Sequence, residues 1–112
     1  MRKCFYALAA ILILSATSTY ARTNVWIKSL RSCGNWVEQR KTDDINLVGT
    51  RSWLLGFLSG LAVGFNKDFL EGIDDDQIDL WMDNYCKANP LKSLSTAGQY
   101  LATELIKQKK LK

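Results

Sequence analysis

An uncharged stretch of thirteen residues near the middle of the chain, Trp53–Phe65 (WLLGFLSGLAVGF), limits what this sequence can form. It is shorter than the roughly 20 apolar residues that a transmembrane helix needs, and the charges of Arg51 and Lys67 lie close to its two ends. Leucine is frequent in it and β-branched residues are few, so the segment from about Arg51 to Asn66 is predicted to be helical. We therefore expect a soluble helix that packs against another surface, without stable membrane insertion.

Glycine recurs at every fourth position of this stretch, at Gly56, Gly60 and Gly64. On a helix these three residues fall nearly in line and leave a groove that another helix backbone can approach closely. The predicted helix-packing or dimer surface consists of Trp53, Gly56, Phe57, Gly60 and Gly64. An apolar helix of this kind is either deeply buried in its own chain or exposed for self-association, and both interpretations stay open at this point.

The first 21 residues are arranged like a secretory signal peptide, with a positive start, an apolar run at residues 5–14 and small residues before Ala21. Cleavage after Ala21 would leave an exported chain of residues 22–112. The alternative is an uncleaved anchor. We expect a single helical domain in this mature chain, with its core at about residues 32–110.

Cysteine content then predicts a covalent link. Cys4 would leave with the leader, so Cys33 and Cys86 are the two cysteines that remain. An even number of cysteines in an oxidising compartment favours a structural disulfide. Their separation of 53 positions is unlike the CxxC spacing of redox-active pairs. We predict one disulfide, Cys33–Cys86, which stabilises the fold by about 4 kcal/mol in the chain-entropy model.

Further helices are predicted on both sides of the apolar stretch. The first is short, at about Ser32–Lys41, with Ser32 as its N-cap. A third begins after Asp74, which forms a capping box with Gln77 at N3. A fourth is predicted to start at Pro90, with Asn89 as its cap. The core-facing positions of the third and fourth helices are Ile78, Trp81, Met82 and Tyr85, then Leu94, Ala97, Leu101 and Leu105.

These patterns predict an all-α fold, a small bundle of about four helices stapled by one disulfide. Short helices in a chain of this length bury only a limited apolar surface, so the disulfide is expected to supply a large share of the stability.

The acidic residues are unevenly distributed, because seven of the eleven lie between Asp68 and Asp83. Asp75, Asp79 and Asp83 are spaced i, i+4 and i+8, so on a helix they form one row of like charges that tends to raise its own pKa values. One interpretation is a solvated polar face. The other is a cation-binding or pH-responsive row that titrates at about pH 3 to 5.

Catalytic and metal sites are not indicated. The sequence has no histidine, and a disulfide would leave the mature chain without a free thiol, which excludes histidine-activated nucleophiles and histidine zinc sites. The acidic segment also lacks the ligand spacing and central glycine of an EF-hand loop. We expect no enzyme, no cofactor and no metal site. The lysines near the C-terminus are interpreted as a solvated helix end, not as a nucleic-acid site.

Three segments resemble the HdeA/HdeB-like periplasmic acid-stress proteins: SCGNWVEQR, WLLGFLSG and IDLWMDNYCKANPLKSL. The shared features are an early cysteine, a central Trp-x-x-Gly-Phe helix and a second cysteine in a Cys-x-x-Asn-Pro corner. The resemblance covers about Cys33–Leu94. It implies a periplasmic homodimer whose central helix, with Trp53, Gly56 and Phe57, packs the core and the dimer. It also implies a chaperone that binds unfolding proteins in acid through exposed apolar surface.

The chain also resembles the small periplasmic immunity proteins that neutralise type VI secretion amidases, which are exported, helical and disulfide-bearing. Two hypotheses follow. In the first, the apolar helix of an acid-stress chaperone is masked at neutral pH and exposed when Asp75, Asp79 and Asp83 are protonated. In the second, an immunity or inhibitor protein inserts an exposed loop such as Asn66–Ile73 into the active site of a toxin enzyme.

Overall fold

The computed structural model describes residues 25–112, so the predicted signal peptide at residues 1–21, with Cys4 and the cleavage after Ala21, lies outside the described residues. Within this range 66% of the residues are helical and there are no strands, which confirms the predicted all-α bundle. The helices are α1 (Cys33–Thr42), α2 (Leu47–Phe65), α3 (Asp75–Ala88) and α4 (Leu94–Gln108).

The disulfide joins the start of α1 to the end of α3. Cys33 is bonded to Cys86, with their Cα atoms 4.6 Å apart, and both residues are completely buried. The predicted pairing is therefore confirmed. Backbone hydrogen bonds add to it, because the Cys33 N–H donates to the Lys92 carbonyl at 2.8 Å and the Gly34 N–H donates to the Pro90 carbonyl at 2.9 Å. The start of α1 is thus held against α3 and against the turn before α4.

Side-chain caps determine where α1 and α3 begin. The Ser32 hydroxyl accepts the N–H of Asn35 at 3.1 Å. Asp74 and Gln77 form the predicted capping box: the Gln77 N–H donates to Asp74 Oδ1 at 2.8 Å, and the Asp74 N–H donates to Gln77 Oε1 at 2.9 Å. The box satisfies two backbone N–H groups that a helix start leaves unpaired, whereas Ser32 satisfies one. Both predicted caps are confirmed.

The helix α2 begins at Leu47, four residues before the apolar run that starts at about Arg51. The carboxylate of Asp44 accepts both the backbone N–H and the Nδ2–H of Asn46 at 2.8 Å, which forms a turn that leads into the helix at Leu47. Thr50 is buried and donates to the Asn46 carbonyl at 3.2 Å. These polar side-chain contacts therefore lengthen α2 on the N-terminal side of Arg51. The sequence of this added segment has no apolar periodicity.

The predicted start of α4 is wrong. Asn89 is the C-cap of α3, where its Nδ2–H donates to the Tyr85 carbonyl at 2.9 Å. Pro90 lies in the turn between the two helices, and Ser93 is the N-cap of α4. The helix begins at Leu94, and the Ser93 hydroxyl caps it by accepting the N–H of Thr96 at 3.1 Å.

The core lies where α2 packs against α4 and where α1 packs against α3. The predicted apolar face of α4 is buried as expected. On α3, Ile78 and Met82 are buried, whereas Trp81 and Tyr85 remain partly exposed at the surface between α3 and α4. The largest fully buried side chains are Trp36, Leu54, Leu58, Phe69, Met82 and Leu94.

The contact between α2 and α4 is tightest at Gly98. A Cβ atom at this position would lie 3.0 Å from Cδ1 and Cε1 of Phe57. A Cβ atom at Gly60 of α2, in contrast, would meet no atom within 4 Å. The helix packing therefore depends on a glycine of α4, while this glycine of α2 faces open space.

We expect Gly98→Ala and Gly60→Ala to have opposite effects on the free energy of unfolding. Gly98→Ala forces the Phe57 ring to move, so we expect it to destabilise the fold by about 1 to 2 kcal/mol. Gly60→Ala adds helix propensity without a clash and should stabilise by about 0.5 to 1 kcal/mol. Urea unfolding of both variants measures the difference. Equal shifts of the same sign would contradict the packing described for Gly98.

Candidate functional site

Two carboxylates of α3 meet two arginines at the point where α1, α2 and α3 converge. We term Arg40, Arg51, Asp79 and Asp83 the carboxylate–arginine cluster. Asp83 accepts hydrogen bonds from Arg40 Nη2 at 2.8 Å and from the indole Nε1–H of Trp36 at 2.8 Å. Asp79 pairs with Arg51 at 2.9 Å and with Arg40 at 3.4 Å. The Arg40 guanidinium thus bridges both carboxylates, and the cluster links three helices.

The predicted row of like charges is therefore compensated at two of its three positions. Asp79 is only 5% exposed and Asp83 is half-buried, whereas Asp75 is exposed. The interpretation as a solvated face applies to Asp75 alone. The spacing of the aspartates along α3 could not reveal this pairing, because the compensating charges of Arg40 and Arg51 come from two other helices.

Burial and pairing shift the pKa values of the two paired acids in opposite directions. At Asp79, loss of hydration raises the pKa above its ordinary value, although Arg51 and Arg40 offset part of that effect. At Asp83, burial also acts to raise the pKa, but the hydrogen bonds from Arg40 and Trp36 outweigh it and the pKa is lowered. As the pH falls, Asp79 therefore takes up its proton before Asp83 does.

A second feature is the side of α2 that no other described part of the chain covers. Val63 is 83% exposed and Val48 is 67% exposed. A Cβ atom added to any glycine of this helix would meet no atom within 4 Å. Deep burial, one of the two interpretations of this helix, is therefore wrong for this side. We term it the open α2 face, and its exposed members are Val48, Ser52, Gly56, Ser59, Gly60, Val63 and Gly64.

The open α2 face has neither charge nor free hydroxyl donors. No acidic or basic residue lies between Arg51 and Lys67. The hydroxyl of Ser52 donates to the carbonyl four residues earlier in the same helix at 2.9 Å, and that of Ser59 does so at 2.8 Å. Any partner of this face therefore binds through apolar and van der Waals contact.

The structure separates the aromatic and glycine members of the predicted packing surface. Trp53 and Phe57 stack on one another with their ring centroids 5.2 Å apart, and both are partly buried. Phe57 contacts Gly98 of α4 and so belongs to the packing within the chain. Gly56 and Gly60 lie on the open α2 face, where a second chain has access.

By length and composition α2 is able to cross a membrane. It has 19 residues with a mean hydropathy of 1.3, and only 17% of this stretch is buried. It is longer than the thirteen uncharged residues suggested, because it begins at Leu47. Insertion into a bilayer would have to separate Arg51 from Asp79 and Phe57 from Gly98, so these contacts favour packing on α4 over insertion.

A third feature, which the sequence did not indicate, is a groove of about 660 Å³ between α3 and α4. Trp81 and Tyr85 stack at 5.1 Å between ring centroids, and Tyr100 lies 5.5 Å from Tyr85. The Trp81 Nε1–H donates to Glu104 at 3.0 Å, and Lys107 lies at the rim. We term this the aromatic groove. Two of its rings, Trp81 and Tyr85, were predicted to lie in the core, and the structure places them instead in the wall of this groove beside Tyr100.

In residues 25–112, no group of three His, Cys, Asp or Glu side chains is arranged to hold a metal ion. Comparison of the chain with protein-family models, with curated proteins and with solved structures finds no match. The resemblance to the HdeA/HdeB-like proteins therefore stays a prediction, and a function for this chain has to be inferred from the contacts of its own residues.

Proposed function

We propose that this chain is an exported, non-enzymatic protein-binding protein of the acid-stress chaperone type, which holds unfolding client proteins on the open α2 face. The observation that carries the proposal is the uncharged, uncovered side of α2. Contiguous apolar surface of this kind on a small soluble domain marks an interaction site. A sequence without histidine, whose Cys33 and Cys86 are joined in a disulfide, supports binding rather than catalysis.

In this proposal the carboxylate–arginine cluster supplies the response to acid. Asp83 has a lowered pKa, so it stabilises the contact of α3 with α1 at neutral pH, and this stabilisation is lost as the pH falls through that pKa. Asp79 acts in the opposite sense, because its pKa is raised and its protonation relieves the cost of a buried charge. Once the pH has fallen through the lowered pKa of Asp83, Arg40 loses its closest partner, and we expect this loss to outweigh the gain at Asp79.

Other charges near the cluster do not replace that partner. Lys87 also faces Asp83, and Asp76 acts on Arg40 from a greater distance without a hydrogen bond to it. Protonation of Asp83 therefore loosens α1 from α3 and uncovers apolar side chains between these two helices, in addition to the open α2 face. At neutral pH nothing in residues 25–112 covers this face, so masking requires a second copy of the chain, and we include a homodimer in the proposal.

We expect the wild-type chain to suppress aggregation of an acid-denatured client protein between about pH 2 and pH 4. Val63→Lys places a charge on the open α2 face and should weaken client binding by about tenfold or more, because the lysine has to be desolvated. Leu80→Lys is the matched control, since Leu80 is 62% exposed on α3, away from that face. Light scattering of the client measures both variants.

Failure of the wild-type chain to reduce scattering in acid would contradict the proposed function. Equal activity of Val63→Lys and wild type would show that clients bind elsewhere on the molecule. Circular dichroism at neutral pH checks that both lysine variants are folded, which is expected because both positions are exposed.

A second function, inhibition of a toxin enzyme, is favoured by the loop between α2 and α3. Phe69 is completely buried and anchors this loop, while Asn66, Asp68 and Glu71 are exposed around it. The ammonium group of Lys109 in turn donates to the Glu71 carbonyl. A polar loop that is held in one conformation loses little entropy on binding, which suits insertion into an enzyme cleft. Purification from the producing cell should then yield a stoichiometric enzyme partner, and its absence would remove the support for this second function.

A further inference from the structure

The segment before α1, Val25–Arg31, and the turn between α3 and α4 both present apolar side chains to solvent. Trp26 is 93% exposed, Val25 is 76% exposed and Leu30 is 49% exposed. Leu91, in the turn, is 98% exposed. A tryptophan buries about 150 to 250 Å² when it is covered, so leaving one in water is unfavourable. Neither segment is covered by the rest of residues 25–112.

Backbone and covalent bonds hold these two segments side by side at one end of the bundle. The Leu94 N–H donates to the Arg31 carbonyl at 2.9 Å, and the Cys33 N–H donates to the Lys92 carbonyl at 2.8 Å. The disulfide fixes Cys86, at the end of α3, to the same place. We term the residues Val25–Arg31 and Lys87–Lys92 together the basic end.

The basic end carries positive charge only. No acid occurs in residues 25–35 or 84–103, and all the cations of the basic end are exposed to solvent. None of them forms a salt bridge with an acid of residues 25–112. These cations are Lys28, Arg31, Lys87 and Lys92.

Two acids outside the basic end act on these cations through space. Asp44 interacts with Arg31, but the hydrogen bonds from Asn46 do more to lower the pKa of Asp44 than Arg31 does. Asp83 interacts with Lys87, and its charge is already paired with that of Arg40 at 2.8 Å. The basic end therefore keeps an excess of positive charge at its surface.

Exposed apolar side chains among unpaired cations match the surface of an anionic phospholipid bilayer. Each lysine or arginine near such a surface strengthens binding by about fivefold. Tryptophan favours the headgroup level, where its ring leaves water while its N–H stays hydrated. We propose that the basic end docks this chain on the surface of an anionic phospholipid bilayer, with Trp26 and Leu91 inserted between the headgroups.

A bilayer suits the basic end better than the other partners of a positive surface. A nucleic acid would pair with the cations through its phosphates but would leave Val25, Leu30 and Leu91 in water. A second copy that used the same end would bring its own cations against them, because a two-fold interface joins identical patches. Anionic lipid supplies both the opposite charge and an apolar interior.

Docking in this way is peripheral and leaves the fold intact. The basic end includes no residue of α2, so the pairing of Arg51 with Asp79 is kept. The open α2 face is not used either and stays available to another partner. The inference therefore goes beyond the proposed function and does not depend on it.

Sedimentation with vesicles tests the docking at neutral pH, with the chain as the producing cell processes it. One set of vesicles is phosphatidylcholine alone, and the other contains about one third phosphatidylglycerol, which is anionic. Four cations at about fivefold each predict binding at least about a hundredfold tighter on the anionic vesicles. Raising the salt from about 0.15 M to about 1 M shortens the Debye length from about 8 Å to about 3 Å and should weaken it.

Variants assign the binding to the basic end. Trp26→Ala should weaken it by about tenfold, because the inserted ring is lost. The pair Lys28→Gln, Lys92→Gln should weaken it by about 25-fold. The matched control is the pair Lys67→Gln, Lys112→Gln, which changes the net charge equally after α2 and after the far end of α4 and should leave binding unchanged.

Several outcomes overturn the proposal. Absence of binding to the anionic vesicles does so, and so does equal binding to both kinds of vesicle, which a retained leader would give. An equal loss for the two lysine pairs also overturns it, since net charge alone would then direct the binding. Unchanged binding of Trp26→Ala does the same, because no side chain would then be inserted at that position. Client aggregation is not measured, so failure here is distinct from failure of the proposed function.

Discussion

Loss of the Cys33–Cys86 disulfide is expected to lower the free energy of unfolding by about 4 kcal/mol, the largest single effect that we predict for this chain. The bond closes a loop of 53 positions and lies completely buried between α1 and α3. A domain of this size is rarely more stable than about 5 to 10 kcal/mol, so the reduced chain should be close to unfolding at physiological temperature.

Urea unfolding of the oxidised chain, with and without a reducing agent, measures this effect. The double variant Cys33→Ala, Cys86→Ala is the control, because it should unfold at nearly the same urea concentration as the reduced wild type and should not respond to the reductant. A reduced chain as stable as the oxidised one would show that helix packing alone maintains the fold.

Asp83→Asn is expected to lower the free energy of unfolding at neutral pH by about 2 kcal/mol, because hydrogen bonds to a charged carboxylate are lost. The wild-type Asp83 accepts from Arg40 and from the indole of Trp36, both at 2.8 Å. Its pKa is lowered by these bonds, so the wild type loses the same stability as the pH falls below about 4. The difference between the two chains should therefore disappear in acid.

Asp79→Asn is the matched variant for this prediction. Its pKa is raised by burial, so its ionised form costs stability at neutral pH and this cost is relieved in acid. Asp79→Asn should therefore be less destabilising than Asp83→Asn at neutral pH, although Arg51 loses its closest partner. Unfolding curves at several pH values between about 2 and 7 distinguish the effects of the two substitutions on stability. Equal losses at all pH values would show that packing, and not charge, holds this cluster.

Features that depend on nearby residues could be predicted from the sequence. The capping box needs only Asp74 and Gln77, which lie three positions apart, and the disulfide needs only the two cysteines that follow the predicted leader. Such signals do not depend on how the helices are arranged in space. The number of helices and the buried face of α4 follow from periodicity for the same reason.

Features that depend on the rotation of one helix against another could not be predicted. The charge of Asp79 is compensated from α1 and α2, and its spacing on α3 carries no information about Arg40 or Arg51. The glycines of α2 suggested close packing, yet the close contact is made by Gly98 against Phe57. The aromatic groove needs Tyr100 of α4 beside two rings of α3, and only the packed structure shows that these rings meet.

The hydroxyls of Ser52 and Ser59, which donate to carbonyls of their own helix, have a consequence for selectivity. A surface without free donors or charges cannot distinguish one polypeptide from another by the direction of a hydrogen bond, so it discriminates only by the bulk of the side chains that approach it. Many different sequences should therefore bind the open α2 face with similar, modest affinity. A single exclusive partner would need the polar groups of the Asn66–Ile73 loop instead, and mapping where a bound protein protects the chain distinguishes a generalist from a specialist.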